Sequence, residues 1–251
     1  KYQPINVAAT AATRATPPPL ALAAAAPTPS RIVVVTDMDE TLISKKSTGY
    51  VIAFLRRLRA VRILLVPLLS AVLIPISKFN RTLAVRAMYW FAFRGVRVDK
   101  AVAIARDHLG PRCAADLQDP AASAVLAADD AIVITASPSF LARPWLERYL
   151  RVRPENVFGA ELEERNGRFT GRTSRIPIGE TKVEVLQSCS AAAGDAAETV
   201  GYGDHHSDLP FMKACSRGVL VLDKYVSPAE LPEGVSYTPA TKFTALERLG
   251  E

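Results

Sequence analysis

Six residues, Arg31 to Thr36 (RIVVVT), form an unbroken, mostly β-branched run that ends in Asp37-Met38-Asp39-Glu40-Thr41. A run of this kind reads as a strand buried on both faces, and such a strand needs helices above and below it. Similar short runs recur at Ala131–Thr135, Glu198–Tyr202 and Gly218–Leu222. Helical patterns follow two of them, over Phe140–Leu150 and Leu209–Cys215, and a third around Thr181–Cys189 precedes the run at Glu198. The alternation predicts an α/β chain with a parallel sheet covered by helices on both faces. Sites in such folds lie at the carboxyl ends of the strands. Within Ala160–Arg172, Asn166-Gly167 stands between short runs and predicts a hairpin turn.

Residues 44–130 break the rhythm. Apolar residues recur at helical spacing through Val51–Leu73 and Leu83–Phe93. Between Arg56 and Lys100 there are ten Lys or Arg and one acid, Asp99. Ile63–Ser77 carries no charge but contains Pro67 and Pro75, and it is shorter than the ~18–20 residues that cross a bilayer. Two accounts stand side by side: a helix lying in or re-entering a membrane interface, or a helical subdomain whose apolar faces pack together. A nucleic-acid surface is a poor fit, because the arginines interleave with Leu, Val and Ile and no stacking aromatic array accompanies them. A formal charge of +6 still favours anionic partners.

Residues 1–36 contain no Asp or Glu and are rich in Ala, Thr and Pro, a composition shared by organellar transit segments and disordered leaders. Cys113, Cys189 and Cys215 form no CxxC pair, which argues against a disulfide framework or a structural zinc site. No HExxH arrangement exists.

Side chains two apart on an extended chain point the same way, so Asp37 and Asp39 face one pocket past the first strand. Two buried carboxylates this close repel unless a cation intervenes. With a divalent metal present, Asp37 can stay ionised and act as a nucleophile toward phosphorus, while Asp39 delivers a proton to the leaving oxygen. Thr135, at the end of a second buried run, can hydrogen-bond a phosphate oxygen. Lys182, at the start of a helix, can neutralise phosphoryl charge. Gly203-Asp204-His205-His206-Ser207-Asp208 offers two acids four residues apart on a turn, a donor set suited to a hard cation such as magnesium. Each feature has an ordinary structural explanation, a cap, a strand end or a solvated lysine. Their joint order beside strand ends favours chemistry.

The order DMDET, ITAS, ETK and GDHHSD resembles the four motifs of the haloacid-dehalogenase (HAD) superfamily, over about Arg31 to Leu222. The resemblance implies a Rossmann-like core, Asp37 as nucleophile, Asp39 as acid/base with its backbone carbonyl on the metal, and Thr135 and Lys182 as phosphate holders. It implies Asp204 as a magnesium ligand and Asp208 as a ligand through water or an orienting group. Asp37 and Thr135 lie 98 positions apart, room for a helical cap after the first strand, whereas Thr135 and Lys182 lie 47 apart, too few for a second large insertion. That arrangement resembles the subclass containing phosphoserine phosphatase. The expected organisation is a leader over 1–30, a core over 31–44 and 131–225, a basic, apolar cap over 45–130, and a tail or linker over 226–251.

FRGVRVDKAVAIARDHL, ITASPSFLARPWLERYL, VFGAELE and GYGDHHSDLPFMKACSRGVLV also resemble the amino-terminal domain of land-plant glycerol-3-phosphate acyltransferases. This second likeness implies dephosphorylation of a lysophosphatidate in glycerolipid, cutin-type, synthesis, a lysophospholipid substrate, and association with the endoplasmic reticulum membrane; the leader leaves an organelle open. The alternatives are a catalytically weak module that binds membrane or supports an acyltransferase domain, and a stand-alone phosphoserine phosphatase-like enzyme. Glu40 stands where the family usually has glycine, which adds bulk and charge near the metal. His205 and His206 are expected as exposed turn histidines, with substrate contact as the alternative. No HxxxxD acyl-transfer signature appears, so the chain is either a fragment or works alone.

Overall fold

Val33, Val34 and Val35 are all buried, and the strand they form, β1 (Arg31–Thr36), is hydrogen-bonded on both sides. The structure, a computed structural model, describes residues 31–59, 61–193, 197–221 and 231–244. The expected leader over 1–30 lies outside the described residues.

After β1 the chain is helical for a long stretch: α1 (Ser47–Arg57), a 3-10 turn (Val61–Leu65), α2 (Val66–Phe79), α3 (Arg81–Phe93), α4 (Val98–Ile104), a π-helical turn (Ala105–Leu109) and α5 (Gly110–Ala115). The two-residue strand β2 (Gln118–Asp119) and α6 (Ala121–Ala127) lead to β3 (Asp130–Pro138), α7 (Ser139–Leu150), a 3-10 turn (Pro154–Asn156) and β4 (Val157–Ala160). A hairpin, β5 (Leu162–Arg165) and β6 (Arg168–Thr173), precedes α8 (Glu180–Ala193), β7 (Ala197–Gly203), α9 (Leu209–Lys213) and β8 (Arg217–Leu220). Last come β9 (Val235–Tyr237) and β10 (Thr241–Lys242).

Six strands form one sheet in the order β4-β3-β1-β7-β8-β9, every neighbouring pair parallel. The fold is Rossmann-like. β1 lies inside the sheet, and the chain builds outward first on the β3 side and then on the β7 side. The reversal opens a crevice at the carboxyl end of β1, where sites in such sheets form.

Alternate residues face opposite layers, as the pleat requires. Val33, Val35, Ile132 and Ile134 pack against Val185 and Leu186 of α8 and Phe211 and Met212 of α9. Val34, Ala131 and Val133 belong to the larger core on the other face, with Leu141, Trp145 and Leu146 of α7 and with the helical segment. That core runs without a break into Phe54 of α1 and Phe93 of α3, whose rings meet edge-on at 5.3 Å, with Phe140 touching both.

Asn166 and Gly167 join β5 to β6 at φ of 51° and 70°, the left-handed pair that an Asn-Gly hairpin turn adopts. The apolar stretch extends further than Ile63–Ser77. Val61–Phe79 is continuously helical over 19 residues, long and apolar enough by length and composition to cross a membrane. Pro67 does not interrupt it, because it stands in the first turn of α2 where no N–H partner is needed. Pro75 sits inside the helix, where it lacks the N–H that would have bonded four residues back and its ring crowds that carbonyl, yet the helix runs on to Phe79.

Residues 226–251, expected as a tail or linker, supply β9 and β10 among the described residues. β9 adds a parallel sixth strand beside β8, and β10 pairs with β2. Neither is visible as a pattern, because strands of three and two residues carry too few side chains to show alternation.

Candidate active site

Asp37 begins where β1 ends, and its N–H donates to the Tyr202 carbonyl at 3.0 Å, so the strand ladder holds its backbone. Thr135 lies in β3, while Asp204 follows β7, the other neighbour of β1. The three residues therefore come from adjacent strands at one edge of the sheet. Asp208 reaches the same edge through the turn before α9. Gly203 permits this: a Cβ there would lie 2.7 Å from the Asp208 Cβ and 2.8 Å from the Met212 sulfur. Lys182 arrives from the first turn of α8.

Lys182 is buried between two carboxylates. Its Nζ donates to Asp37 Oδ1 and to Asp208 Oδ1, each at 2.7 Å. Asp37, Asp204 and Asp208 each place an oxygen within 4.8 Å of the others, all three residues buried. Thr41 Oγ1 donates to Asp204 Oδ1 at 3.2 Å. The carboxylate of Asp39 stands apart from this cluster. It accepts from the Ser47 N–H at 2.9 Å and the Ser47 hydroxyl at 2.6 Å, at the first turn of α1, and from Ser137 Oγ at 3.5 Å. Thr135 Oγ1 accepts from the Ser137 N–H at 3.1 Å, which leaves its own proton to donate.

Burial dominates the electrostatics. It pushes Asp37 up to about 7, against the pull of Lys182 and with the push of Asp208 and Asp39. Burial likewise raises Asp204 to about 8, with Asp37, Asp208 and Glu40 adding to it. Asp39 is raised by burial, offset in part by the Ser47 hydrogen bonds. Lys182 is raised, because attraction to Asp208 and Asp37 outweighs the desolvation that would lower it.

Three buried carboxylates share one ammonium, an excess of negative charge that burial makes unfavourable. Oxygen donors of this kind suit a hard divalent cation, and the donor set fits magnesium. Asp37, Asp204 and Asp208 are the side chains that would hold it.

Above the carboxylates opens a cavity of about 420 Å³, reaching from Asp37, Thr135 and Lys182 to Leu69 and Leu73 of α2 and Met88 of α3. Its floor is charged and its upper walls are apolar. His205 lines it, half-buried, while His206 is exposed. This corrects the expectation of two exposed histidines. The rings stack with centroids 3.9 Å apart, and the His205 N–H of the backbone donates to Asp208 Oδ2 at 3.3 Å. Burial, then His206 and Arg81, lower the His205 imidazole to about 4.

Glu40 is buried at φ 58°, the left-handed conformation that glycine adopts freely. A side chain there carries a strain of roughly 1–2 kcal/mol. Its carboxylate pairs with Lys46 at 3.2 Å, and its backbone carbonyl accepts from Gln118 Nε2 at 2.6 Å.

The six sequence-predicted residues thus gather around one cavity. Reading the sequence did not single out Ser47, Ser137, Thr41 or Arg81. Serines and threonines are too common to stand out, and Arg81 was hidden in a basic run. Thr41 and Ser137 had one signal each, as the last residues of DMDET and ITAS.

The chain matches the family described as haloacid dehalogenase-like hydrolase over residues 34–213. It is 26% identical over 166 residues to the glycerol-3-phosphate acyltransferase RAM2 of Petunia hybrida, covering 63% of this chain and 33% of the relative. The chain thus spans about a third of that protein's length. Among solved structures, a protein of unknown function from Bordetella pertussis Tohama I is similar at a TM-score of 0.60 and 25% identity, over 76% of this chain and 90% of that one. A probable phosphoserine phosphatase from Vibrio cholerae is similar at a TM-score of 0.56 and 16% identity, over 81% of this chain and 59% of that one. With its parallel sheet, its four motif segments meeting at the end of β1 and a family match covering most of its length, the chain belongs to the haloacid dehalogenase-like hydrolases.

Proposed function

We propose that this chain is a magnesium-dependent phosphatase that hydrolyses a phosphate monoester through an aspartyl-phosphate on Asp37. The observation that carries the reading is Lys182 held between Asp37 and Asp208 at 2.7 Å, with Asp204 beside them on the floor of the cavity. Phosphate monoesters hydrolyse extremely slowly unaided, so placement and charge neutralisation supply most of the acceleration. In this reading an Asp37 oxygen bonds to phosphorus as the ester P–O bond breaks. Asp39, raised by burial and held by Ser47, gives its proton to the departing alcohol oxygen. The resulting Asp39 carboxylate then takes a proton from the water that attacks phosphorus, and phosphate leaves Asp37 free. Thr135 and Lys182 hold the phosphoryl oxygens. Magnesium, when bound, supplies further positive charge to the phosphoryl group and keeps Asp37 ionised.

The substrate in this reading carries an apolar tail, a lysophospholipid and specifically a lysophosphatidate of glycerolipid synthesis, at a membrane such as the endoplasmic reticulum. Two observations support it: the apolar upper walls of the cavity and the petunia relative, named as an acyltransferase of glycerol 3-phosphate. A polar amino-acid phosphate such as phosphoserine leaves those walls unused.

The test is phosphate release from lysophosphatidate and from phosphoserine, with magnesium and with chelator. We expect release from lysophosphatidate that needs magnesium and falls at least ~10³-fold in Asp37→Asn. Turnover unchanged in Asp37→Asn removes the nucleophile. Preference for phosphoserine removes the lipid substrate while keeping the phosphatase. Failure to take up beryllium fluoride with magnesium leaves a binding module, the reading that crowding by Glu40 favours.

A further inference from the structure

The helix formed by the turn at Val61–Leu65 and by α2 has two apolar faces, and the protein accounts for one of them. Val66, Leu69, Leu73 and Ser77, spaced three or four apart, line the reaction cavity. On the other side Val61, Leu64, Leu68 and Val72 recur at the same spacing, with Phe79 two turns further on, and all face outward, Leu64 76% and Phe79 92% exposed. No residue from Val61 to Phe79 is buried. A continuous exposed apolar stripe marks an interaction surface, unlike single scattered residues.

Its surroundings carry one sign of charge. Arg56, Arg57 and Arg59 precede the stripe, Lys78 lies beside its last residue and Arg81 and Arg86 follow it, all exposed. An apolar stripe flanked by cations complements an anionic lipid leaflet.

The helix is long enough to cross a bilayer, yet its two ends are fixed to one body. At the start, Arg62 donates to the carbonyls of Phe91 and Ala92 at 3.2 and 3.4 Å and of Arg94 at 2.8 Å, at the end of α3. At the finish, Asn80 caps the start of α3, its Oδ1 accepting from the Leu83 N–H at 2.9 Å. α2 and α3 are therefore antiparallel, and the same cavity touches both Val66 and Ser77. A spanning helix has its ends on opposite sides of the membrane. This geometry lays α2 along a surface.

We infer that α2 docks lengthwise on an anionic bilayer, its outer stripe sunk among the acyl chains and its inner stripe forming the wall of the reaction cavity. A phosphorylated lipid then reaches Asp37 sideways from the leaflet, its tail staying apolar throughout. The route rests on the lipid-phosphatase reading; the docking does not.

The experiment compares the full chain with the triple variant Leu64→Ser, Leu68→Ser, Val72→Ser, none of whose positions lines the cavity. Co-sedimentation uses phosphatidylcholine vesicles with and without ~30% phosphatidylserine. Hydrolysis is read on soluble p-nitrophenyl phosphate and on lysophosphatidate held in the vesicles. The wild type should bind the anionic vesicles at least ~10-fold more tightly than the neutral ones. The variant should lose at least ~10-fold in that binding, with unchanged soluble turnover and reduced turnover on vesicles. Equal binding by variant and wild type, equal binding to both vesicles, or an α2-dependent dimer in light scattering with no vesicle binding each overturn the docking. Soluble turnover without vesicle binding leaves the phosphatase standing and removes the docking; vesicle binding without turnover on either substrate does the reverse.

Discussion

Lys182 is the residue on which the charge balance of the site depends. Its ammonium contacts Asp37 and Asp208, and Asp204 lies within the same few ångströms. Replacing it with a neutral chain leaves buried carboxylates facing one another. Removing one partner of a buried ion pair costs about 3–5 kcal/mol, and urea unfolding of Lys182→Met in chelator should show a loss of that order. Magnesium should recover part of it, because a cation among the same oxygens takes over the compensation. Acid should recover part as well, since protonation removes the repulsion. A loss indifferent to both magnesium and pH would mean that Lys182 acts through packing, where it also lies over the Phe211 ring with its Nζ 5.2 Å from the centroid.

The α2–α3 hairpin is the element that walls the cavity above the carboxylates. Its integrity rests at one end on Arg62, whose guanidinium satisfies carbonyls that α3 leaves open at its carboxyl end. Arg62→Ala should cost about 1–2 kcal/mol. Hydrogen exchange should accelerate over 61–79 while the amides of β1 and β3 keep their protection, since the core sheet is built without it. Equal acceleration in both regions would show that hairpin and core open as one unit. At the other end of the cavity, Ser47 joins the first turn of α1 to Asp39. The helical insertion thus reaches the Asp39 carboxylate directly, the group proposed as acid/base.

For the whole molecule, the proposed magnesium site would couple cation binding to pH through the carboxylate cluster. Burial holds Asp37 at about 7 and Asp204 at about 8 in the folded protein, against about 4 in an unfolded chain. A carboxylate raised on folding favours the folded state at acid pH, and that contribution is lost as pH climbs from the unfolded to the folded value. The metal-free protein should therefore lose stability between about pH 4 and pH 8. Magnesium held, as proposed, by the ionised oxygens of the folded state should restore it. The gap in Tm between magnesium and chelator should be small at pH 5 and widen to about 5 °C or more at pH 8. A gap of equal size at both pH values would place the cation elsewhere.

The sequence by itself determined the layered α/β core and the residues at its carboxyl edge, because both follow from local signals. A β-branched run buried on two faces has few alternatives, and acids two or four apart beside strand ends keep their spacing in any fold that contains those strands. That Asp37, Asp39, Asp204 and Asp208 would stand near strand ends was legible for that reason, while Thr135 and Lys182 stood out only through their order among the motifs. Tertiary structure alone decided what depends on distant segments meeting. It set Lys182 between two carboxylates, one of them 145 positions away in sequence, and Ser47 against Asp39. It gave β9 a place beside β8 that three residues cannot announce. It also divided α2 into an inner face and an outer one: periodicity shows that a helix is apolar all round, but only packing shows which side its own protein covers.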